Sequence, residues 1–146
     1  MDMTGQERIS APRDVVWTAL NDPDILMQCI PRCESLQWVS ESELTARVKV
    51  KVGLISAGFT IAITLSNVRG PESYTISAEG KGGLAGFGKG SANVVLEEDG
   101  RETILHYEAG AEIGGRIAQI GSRLIGSAAG KLAQQFFADF NAAVSQ

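Results

Sequence analysis

The chain has 146 residues, of which 44% are hydrophobic and 21% charged, with a formal net charge of −4. Lysine and arginine are dispersed, which excludes a basic patch for nucleic acid, and no apolar run approaches the roughly 18 residues that span a bilayer. The length of the chain predicts a single domain over residues 1–146. The first residues lack a secretion signal, so we expect the protein in the reducing cytoplasm. Cys29 and Cys33 are then free thiols, and two cysteines with one histidine do not make a zinc site.

The first third of the chain predicts one strand followed by two short helices. Residues 3–10 predict the strand, which an Ala-Pro pair interrupts. Residues 13–20 predict a helix with apolar positions at helical spacing. A second brief helix passes through Ile25 and Cys29 and ends at Pro31. These helices separate the first strand from the remaining strands.

The middle of the chain predicts consecutive antiparallel strands. They cover residues 36–39, 44–52, 56–68, a segment that contains Tyr74, Ile76 and Ala78, and residues 91–97 and 102–113. Apolar residues alternate with polar ones along them, which is typical of a sheet with one solvent-exposed face and one buried face, called the dry face below. A glycine-dense segment at residues 80–90 predicts a flexible connection between two of the strands.

Residues 114–144 predict one long helix that covers the dry face of the sheet. Its apolar face carries Ile117, Ile120, Leu124, Ile125, Ala128, Leu132, Phe136 and Phe140. Gly121, Gly126 and Gly130 each cost about 1 kcal/mol relative to alanine inside a helix. They indicate either close contact between helix and sheet or space for a bound molecule. The elements together predict an α+β fold in which a curved antiparallel β-sheet grips a long C-terminal α-helix.

The motifs that commonly carry chemistry are absent or incomplete. Residues 83–90 nearly match a phosphate-binding loop, but Gly90 stands where the motif needs a hydroxyl, and a strand rather than a helix follows. His106 is the only histidine, and strand alternation places it on the outer face with no nucleophile beside it. We therefore predict no catalytic residue, no metal ligand and no cofactor.

The dry face instead offers apolar surface opposite small residues, which favours a ligand cavity between sheet and helix. The candidate ligand-binding residues are Phe59, Ile61, Ile63, Tyr74, Ile76, Leu84, Phe87, Tyr107, Ile113, Ile117, Ile120, Gly121 and Leu124. The segment 82–90 is expected to act as a gate, with Leu84 and Phe87 capping the mouth of the cavity. The alternative is that these side chains form an ordinary packed core.

Three segments, in this order, resemble the CoxG family, which is named for a subunit of carbon monoxide dehydrogenase and belongs to the START-like, helix-grip (SRPBCC) superfamily. They are residues 29–34 (CIPRCE), 80–90 (GKGGLAGFGKG) and 114–125 (GGRIAQIGSRLI). The resemblance implies a sheet that grips the C-terminal helix around a hydrophobic cavity. It also implies an accessory role beside molybdenum-containing CO dehydrogenase-type hydroxylases, either in membrane recruitment or in handling a quinone. Arg32 stands where the family pattern has glycine, and Leu54 stands where proline is common.

These observations lead to two functional hypotheses from different classes. The first is a non-enzymatic accessory protein that binds a quinone or another lipid for a CO dehydrogenase-type hydroxylase, or recruits that enzyme to the membrane. The second is a START-like enzyme, a cyclase or hydrolase, acting on a hydrophobic substrate. Because the predicted inner face is almost entirely apolar, it favours the binder. We expect a cytoplasmic protein with at most transient contact with the inner face of the membrane.

Overall fold

The computed structural model describes residues 1–145. Its elements in chain order are β1 (Asp2–Ile9), α1 (Arg13–Leu20), α2 (Pro23–Cys29), β2 (Cys33–Trp38), β3 (Glu43–Val52), β4 (Ile55–Arg69), β5 (Ser73–Lys81), a 3₁₀ turn (Gly83–Ala85), β6 (Phe87–Asp99), β7 (Glu102–Gly114), a second 3₁₀ turn (Arg116–Ile120) and α3 (Ser122–Val144). The strands form one antiparallel sheet in the order β1-β7-β6-β5-β4-β3-β2. The predicted α+β architecture, a curved sheet with a long C-terminal helix, is confirmed.

The inner face of the sheet is set by strand alternation, as the sequence predicted. Along β4, Phe59 is buried and Ile61 and Ile63 are half-buried, whereas the residues between them are exposed. The first two helices close one side of this face, since α1 contacts β6 and β7 and α2 contacts β2. The sheet, α1 and α2 therefore bound a common apolar interior with α3.

The largest cluster of buried apolar residues lies between the C-terminal half of α3, α1 and the middle of the sheet. Phe140 is fully buried there beside Ile9, and Val144 is 5% exposed. The side-chain oxygen of Asn141 accepts a hydrogen bond from the backbone N–H of Ser10 at 2.8 Å. This part of α3 is thus fixed both by apolar contacts and by a hydrogen bond to the junction between β1 and α1.

The prediction that one helix runs from residue 114 to 144 is wrong at its start. The α-helix begins at Ser122, and the residues Arg116–Ile120 form a separate 3₁₀ turn. Gly115 and Gly121 flank that turn with φ angles of +79° and +98°, which interrupt a right-handed helix. Gly121 therefore lies outside α3 rather than at the centre of its apolar face.

The prediction of a flexible connection over residues 80–90 is also wrong in its extent. Strand β5 continues to Lys81 and β6 begins at Phe87, so only residues 82–86 connect them. One of the glycines within the strands, Gly90, allows a close approach of backbones. A Cβ on Gly90 would lie 2.7 Å from the carbonyl oxygen of Gly110 on β7. Gly90 therefore marks tight strand pairing.

Candidate ligand-binding cavity

A cavity of about 470 Å³ lies between the concave face of the sheet and the middle of α3. Its lining comes from all seven strands, from α1 and α2, and from α3. Among the 21 lining residues, Asn21 alone has neither an aliphatic nor an aromatic side chain. The volume falls within the usual range for pockets that bind small molecules.

Small side chains on both layers keep this space open. Ala92 on β6 faces it from the sheet, and Ala129 and Ala133 face it from α3. Two larger lining residues are partly exposed, with Trp38 at 38% and Leu132 at 51%. Since these two side chains contact both the interior and the solvent, they mark the opening of the cavity.

Tyr74 brings a polar atom into the cavity wall. The residue is 4% exposed, and its ring packs edge-on against Trp17 with ring centroids 5.2 Å apart. No side chain or backbone group of residues 1–145 forms a hydrogen bond with its hydroxyl, and the hydroxyl is not fully enclosed, since the enclosed unpaired side-chain atom among these residues is Nε of Arg13. Burial raises the pKa of Tyr74 above its ordinary value, so the phenol stays neutral and can donate a hydrogen bond.

Two further polar groups line the same cavity. The side-chain amide N–H of Asn21 donates a hydrogen bond to the Trp17 carbonyl at 2.9 Å, which leaves its side-chain oxygen as an acceptor. Tyr107 stacks on Phe137 with ring centroids 5.6 Å apart. Its hydroxyl lies over Gly5 of β1, where a Cβ would come within 2.6 Å of the oxygen. The glycine therefore makes room for the phenol.

A second, smaller hollow of about 260 Å³ lies beneath the 3₁₀ turn that precedes α3. It is lined by Val50, Phe59, Ile61, Phe87, Ile113 and Ile117, together with small strand residues and Lys89. Phe59 and Ile117 are buried and form a packed cluster with Ala85 of the first 3₁₀ turn. Phe87 is 53% exposed, so this hollow reaches the surface beside it.

The structure separates the thirteen candidate residues into three groups. Ile63, Tyr74, Ile76 and Tyr107 line the larger cavity. Phe59, Ile61, Phe87, Ile113 and Ile117 line the smaller hollow. Leu84, Ile120, Gly121 and Leu124 line neither of them. Leu84 and Leu124 point into solvent, being 92% and 52% exposed, whereas Ile120 packs against the cluster around Phe59.

Sequence analysis did not identify several residues that line the larger cavity. Leu20 and Leu26 come from the two short helices, and Leu36 comes from the edge strand β2. Residues 36–39 were predicted as a strand without an assignment of its inner face, and nothing in the sequence indicated how far the short helices reach over the sheet. Their contribution depends on the tertiary position of α1 and α2.

The outer face of the sheet has a different chemical character. A wider depression there, of about 820 Å³, is lined largely by polar and small side chains. Within it, Nζ of Lys89 lies 3.9 Å from Oε1 of Glu79. His106 also lies on the outer face, where its Nε2 is 2.8 Å from a carboxylate oxygen of Glu97. In the described part of the chain, no three His, Cys, Asp or Glu side chains cluster in a way that could hold a metal ion.

Comparison with solved structures places this fold among START-like proteins. A conserved protein from Geobacillus kaustophilus shares 28% identity and a TM-score of 0.92, with 99% of this chain and 95% of that chain covered. A START superfamily protein from Mycobacterium smegmatis shares 13% identity and a TM-score of 0.75, covering 98% and 96%. An aromatase/cyclase from Streptomyces shares 14% identity and a TM-score of 0.70, covering 99% and 93%.

Comparison of the sequence with family models identifies a family, whereas comparison with curated proteins finds no match. No curated protein sequence matches the chain. The sequence model of CoxG, a subunit of carbon monoxide dehydrogenase, matches residues 5–145.

Proposed function

Because the chain belongs to the CoxG family of carbon monoxide dehydrogenase subunits, we propose that it is a non-enzymatic accessory protein that binds a lipophilic ligand, an isoprenoid quinone, in the cavity beneath α3. The observation that carries this proposal is the cavity of about 470 Å³ with an almost wholly apolar lining. A preformed apolar space of this size favours a ligand that buries mostly carbon atoms.

The buried hydroxyl of Tyr74 favours a quinone over a plain hydrocarbon lipid. The hydroxyl keeps a donor that no described residue uses, so a ligand carbonyl that accepts its hydrogen bond would be favoured over a hydrocarbon chain that cannot. The oxygen of Asn21 adds an acceptor suited to the hydroxyl of a reduced quinol. A head group could therefore be held in both redox states, with the isoprenoid chain running toward Trp38 and Leu132 at the opening.

The alternative is a START-like enzyme acting on a hydrophobic substrate. The likeness to an aromatase/cyclase motivates it, although at 14% identity that likeness concerns the fold alone. General acid–base catalysis needs a group that titrates near the operating pH. Among the described residues that line the cavity there is no Asp, Glu, His, Lys or Cys, and burial moves the Tyr74 pKa further from neutrality. These features support the binder.

The family also motivates a partner. We propose that the bound quinone receives electrons from a CO dehydrogenase-type molybdenum hydroxylase, with this protein presenting the quinone to that enzyme. In this arrangement, the protein supplies a dry site and the hydrogen bonds that position the quinone ring.

The experiment is a quinone titration followed by tryptophan fluorescence. The chain has two tryptophans, one beside Tyr74 and one at the cavity opening, so a quinone in the cavity should quench both. Tyr74→Phe should weaken binding about tenfold through the lost hydrogen bond, while binding of a hydrocarbon analogue without carbonyls stays unchanged.

Two results would count against the proposal. Fluorescence that does not respond to a soluble short-chain quinone would contradict quinone binding in this cavity. Equal weakening of the quinone and the hydrocarbon analogue by Tyr74→Phe would assign the tyrosine to packing. Native mass spectrometry of the purified protein is an independent check, because a retained quinone adds its own mass.

A further inference from the structure

The helices of the described chain pack on the inner face of the sheet and leave its outer face uncovered. Val16 of α1, Cys29 of α2 and Phe140 of α3 are all buried against the inner face. None of the helices in residues 1–145 is long and apolar enough to cross a membrane. On the outer face, Thr60 and Thr64 of the central strand β4 are exposed. This face is therefore accessible to another molecule.

The outer face is positively charged along β3. Arg47, Lys49 and Lys51 are exposed there, whereas the two valines between them are half-buried on the inner face. Arg47 donates a hydrogen bond to Oγ1 of Thr60 at 2.8 Å, and Lys81 of β5 is in register with Thr60. None of these four cations has a carboxylate oxygen within 4.0 Å among residues 1–145. We call the four cations the positive strip.

The same face is negatively charged along β7 and β1. Glu108 and Glu112 are exposed on β7, and Asp2 of β1 is in register with Gly110 between them. A Cβ on Gly110 would lie 3.2 Å from Oδ1 of Asp2, so the Asp2 carboxylate lies over this face. In the described part of the chain, these three carboxylates have no cationic nitrogen within 4.0 Å. We call them the negative strip.

The two strips are too far apart to neutralise each other within one chain. Strand β3 lies four strand spacings from β7, about 19 Å, which exceeds the Debye length of about 8 Å at physiological ionic strength. Between the strips, Thr64, Ser77 and Ser91 form a cross-strand row at the depression of about 820 Å³. The charges of Glu79 and Lys89 in this depression compensate each other. The centre of the face is therefore low and close to neutral.

We propose that the outer face binds the outer face of a second copy of this chain. A two-fold axis that lies in the contact plane, between the strips, places each positive strip against the negative strip of the other copy. The short side chains of the centre allow the two sheets to approach until the longer charged side chains meet. Every contact of this kind occurs twice in the symmetric dimer.

Charge complementarity favours a second copy over other occupants of this face. A nucleic acid or another polyanion would be attracted by the positive strip and repelled by the negative strip, whereas a second copy satisfies both. Because the contact is polar, we expect a reversible dimer that salt weakens. The inference does not depend on the ligand, since Trp38 and Leu132 at the cavity opening lie away from the outer face.

Sedimentation velocity of the full-length protein measures the association. The wild type should form dimers in about 20 mM salt, and the dissociation constant should rise at least about tenfold in about 300 mM salt. A triple variant, Lys49→Glu with Lys51→Glu and Lys81→Glu, should raise it at least about a hundredfold in low salt. Glu108→Lys with Glu112→Lys should have the same effect from the negative strip.

An equimolar mixture of these two variants is the sharpest measurement. In the first variant both strips are negative, and in the second both are positive, so neither variant complements itself. Each variant complements the other, and the mixture should form a heterodimer with a dissociation constant within about tenfold of the wild-type value. Restored association would also show that both variants are folded. A mixture that stays monomeric would overturn the proposal.

The matched control reverses three exposed cations that lie away from the outer face. Arg116→Glu with Arg123→Glu and Lys131→Glu changes the net charge by the same amount as the triple lysine variant and should leave the dissociation constant unchanged. An equal loss of dimer in this control would assign the effect to net charge and overturn the proposal. A wild type that stays monomeric at about 0.2 mM protein in low salt would do the same.

Zero-length carbodiimide cross-linking locates the contact. Since β3 and β7 lie about 19 Å apart in one chain, a direct amide bond between Lys49 and Glu112 can form only between two copies. A mixture of unlabelled and ¹⁵N-labelled protein should yield this cross-linked peptide with one labelled and one unlabelled half. A cross-linked dimer without any link between β3 and β7 would place the interface elsewhere and refute this one.

Discussion

Filling the larger cavity from α3 should stabilise the empty protein and block its ligand. Ala133 lines the cavity and is half-buried, so Ala133→Leu would place three additional carbon atoms in the open space. At about 0.8 kcal/mol for each buried carbon, the gain is roughly 2.4 kcal/mol. Loss of side-chain rotamer freedom offsets about 0.5–1 kcal/mol, which leaves a net stabilisation of about 1.5 kcal/mol.

The assay combines thermal unfolding with the quinone titration. For a chain of this size, about 1.5 kcal/mol should raise the Tm by about 3–6 °C. Quinone affinity should fall at least about tenfold, since the leucine occupies ligand volume. Ala138→Leu is the matched control, because Ala138 is exposed on the same helix. This control should change neither the free energy of unfolding nor the free energy of quinone binding by more than about 0.5 kcal/mol.

Either of two results would refute this reasoning. If Ala133→Leu destabilises the protein by about 1–3 kcal/mol while the control does not, the space is already filled and the leucine is overpacked. If the variant is stabilised but binds quinone with unchanged affinity, the cavity exists and the ligand binds elsewhere, with the smaller hollow as the next site to test.

Two further predictions concern stability alone, measured as urea midpoints. Gly126→Ala should stabilise the protein by up to about 1 kcal/mol, because alanine favours the helix more than glycine does. A Cβ at this position of α3 would meet no other atom within 4 Å. Gly121→Ala should destabilise despite equally open space, because its φ of +98° disfavours a side chain, and equal effects at both positions would contradict this. Thr103→Val should cost about 2 kcal/mol, since the buried Thr103 hydroxyl donates to the Ala11 carbonyl at 2.8 Å. The exposed Thr64→Val should be neutral by comparison.

The strands could be predicted from the sequence because their signal is local. Alternation from Phe59 through Ile63 depends on a period of two residues and on one dry face, and both hold in the structure. The helix start at Ser122 could not be predicted in this way. The apolar period continues through Ile117 and Ile120, and the chain turns there only because Gly115 and Gly121 adopt positive φ.

The site was predicted less completely than the fold because a cavity is a property of tertiary spacing. Phe59 and Tyr74 both face inward, yet they line different spaces, since the two 3₁₀ turns fold over one end of the sheet. Strand alternation gives the side of the sheet on which a residue lies but not the element above it. Strand pairing likewise overrode glycine's preference for loops at Gly88 and Gly90.

The uneven anchoring of α3 should produce a gradient of amide hydrogen exchange along it. Its C-terminal half is held by Phe140 and by the bond between Asn141 and Ser10, whereas Gly126 and Gly130 face open space. The first turns of the helix should therefore open at a free energy well below that of global unfolding. Motion confined to those turns would widen the interior while the C-terminal half of α3 stays folded. A bulky ligand could then enter or leave without global unfolding of the protein.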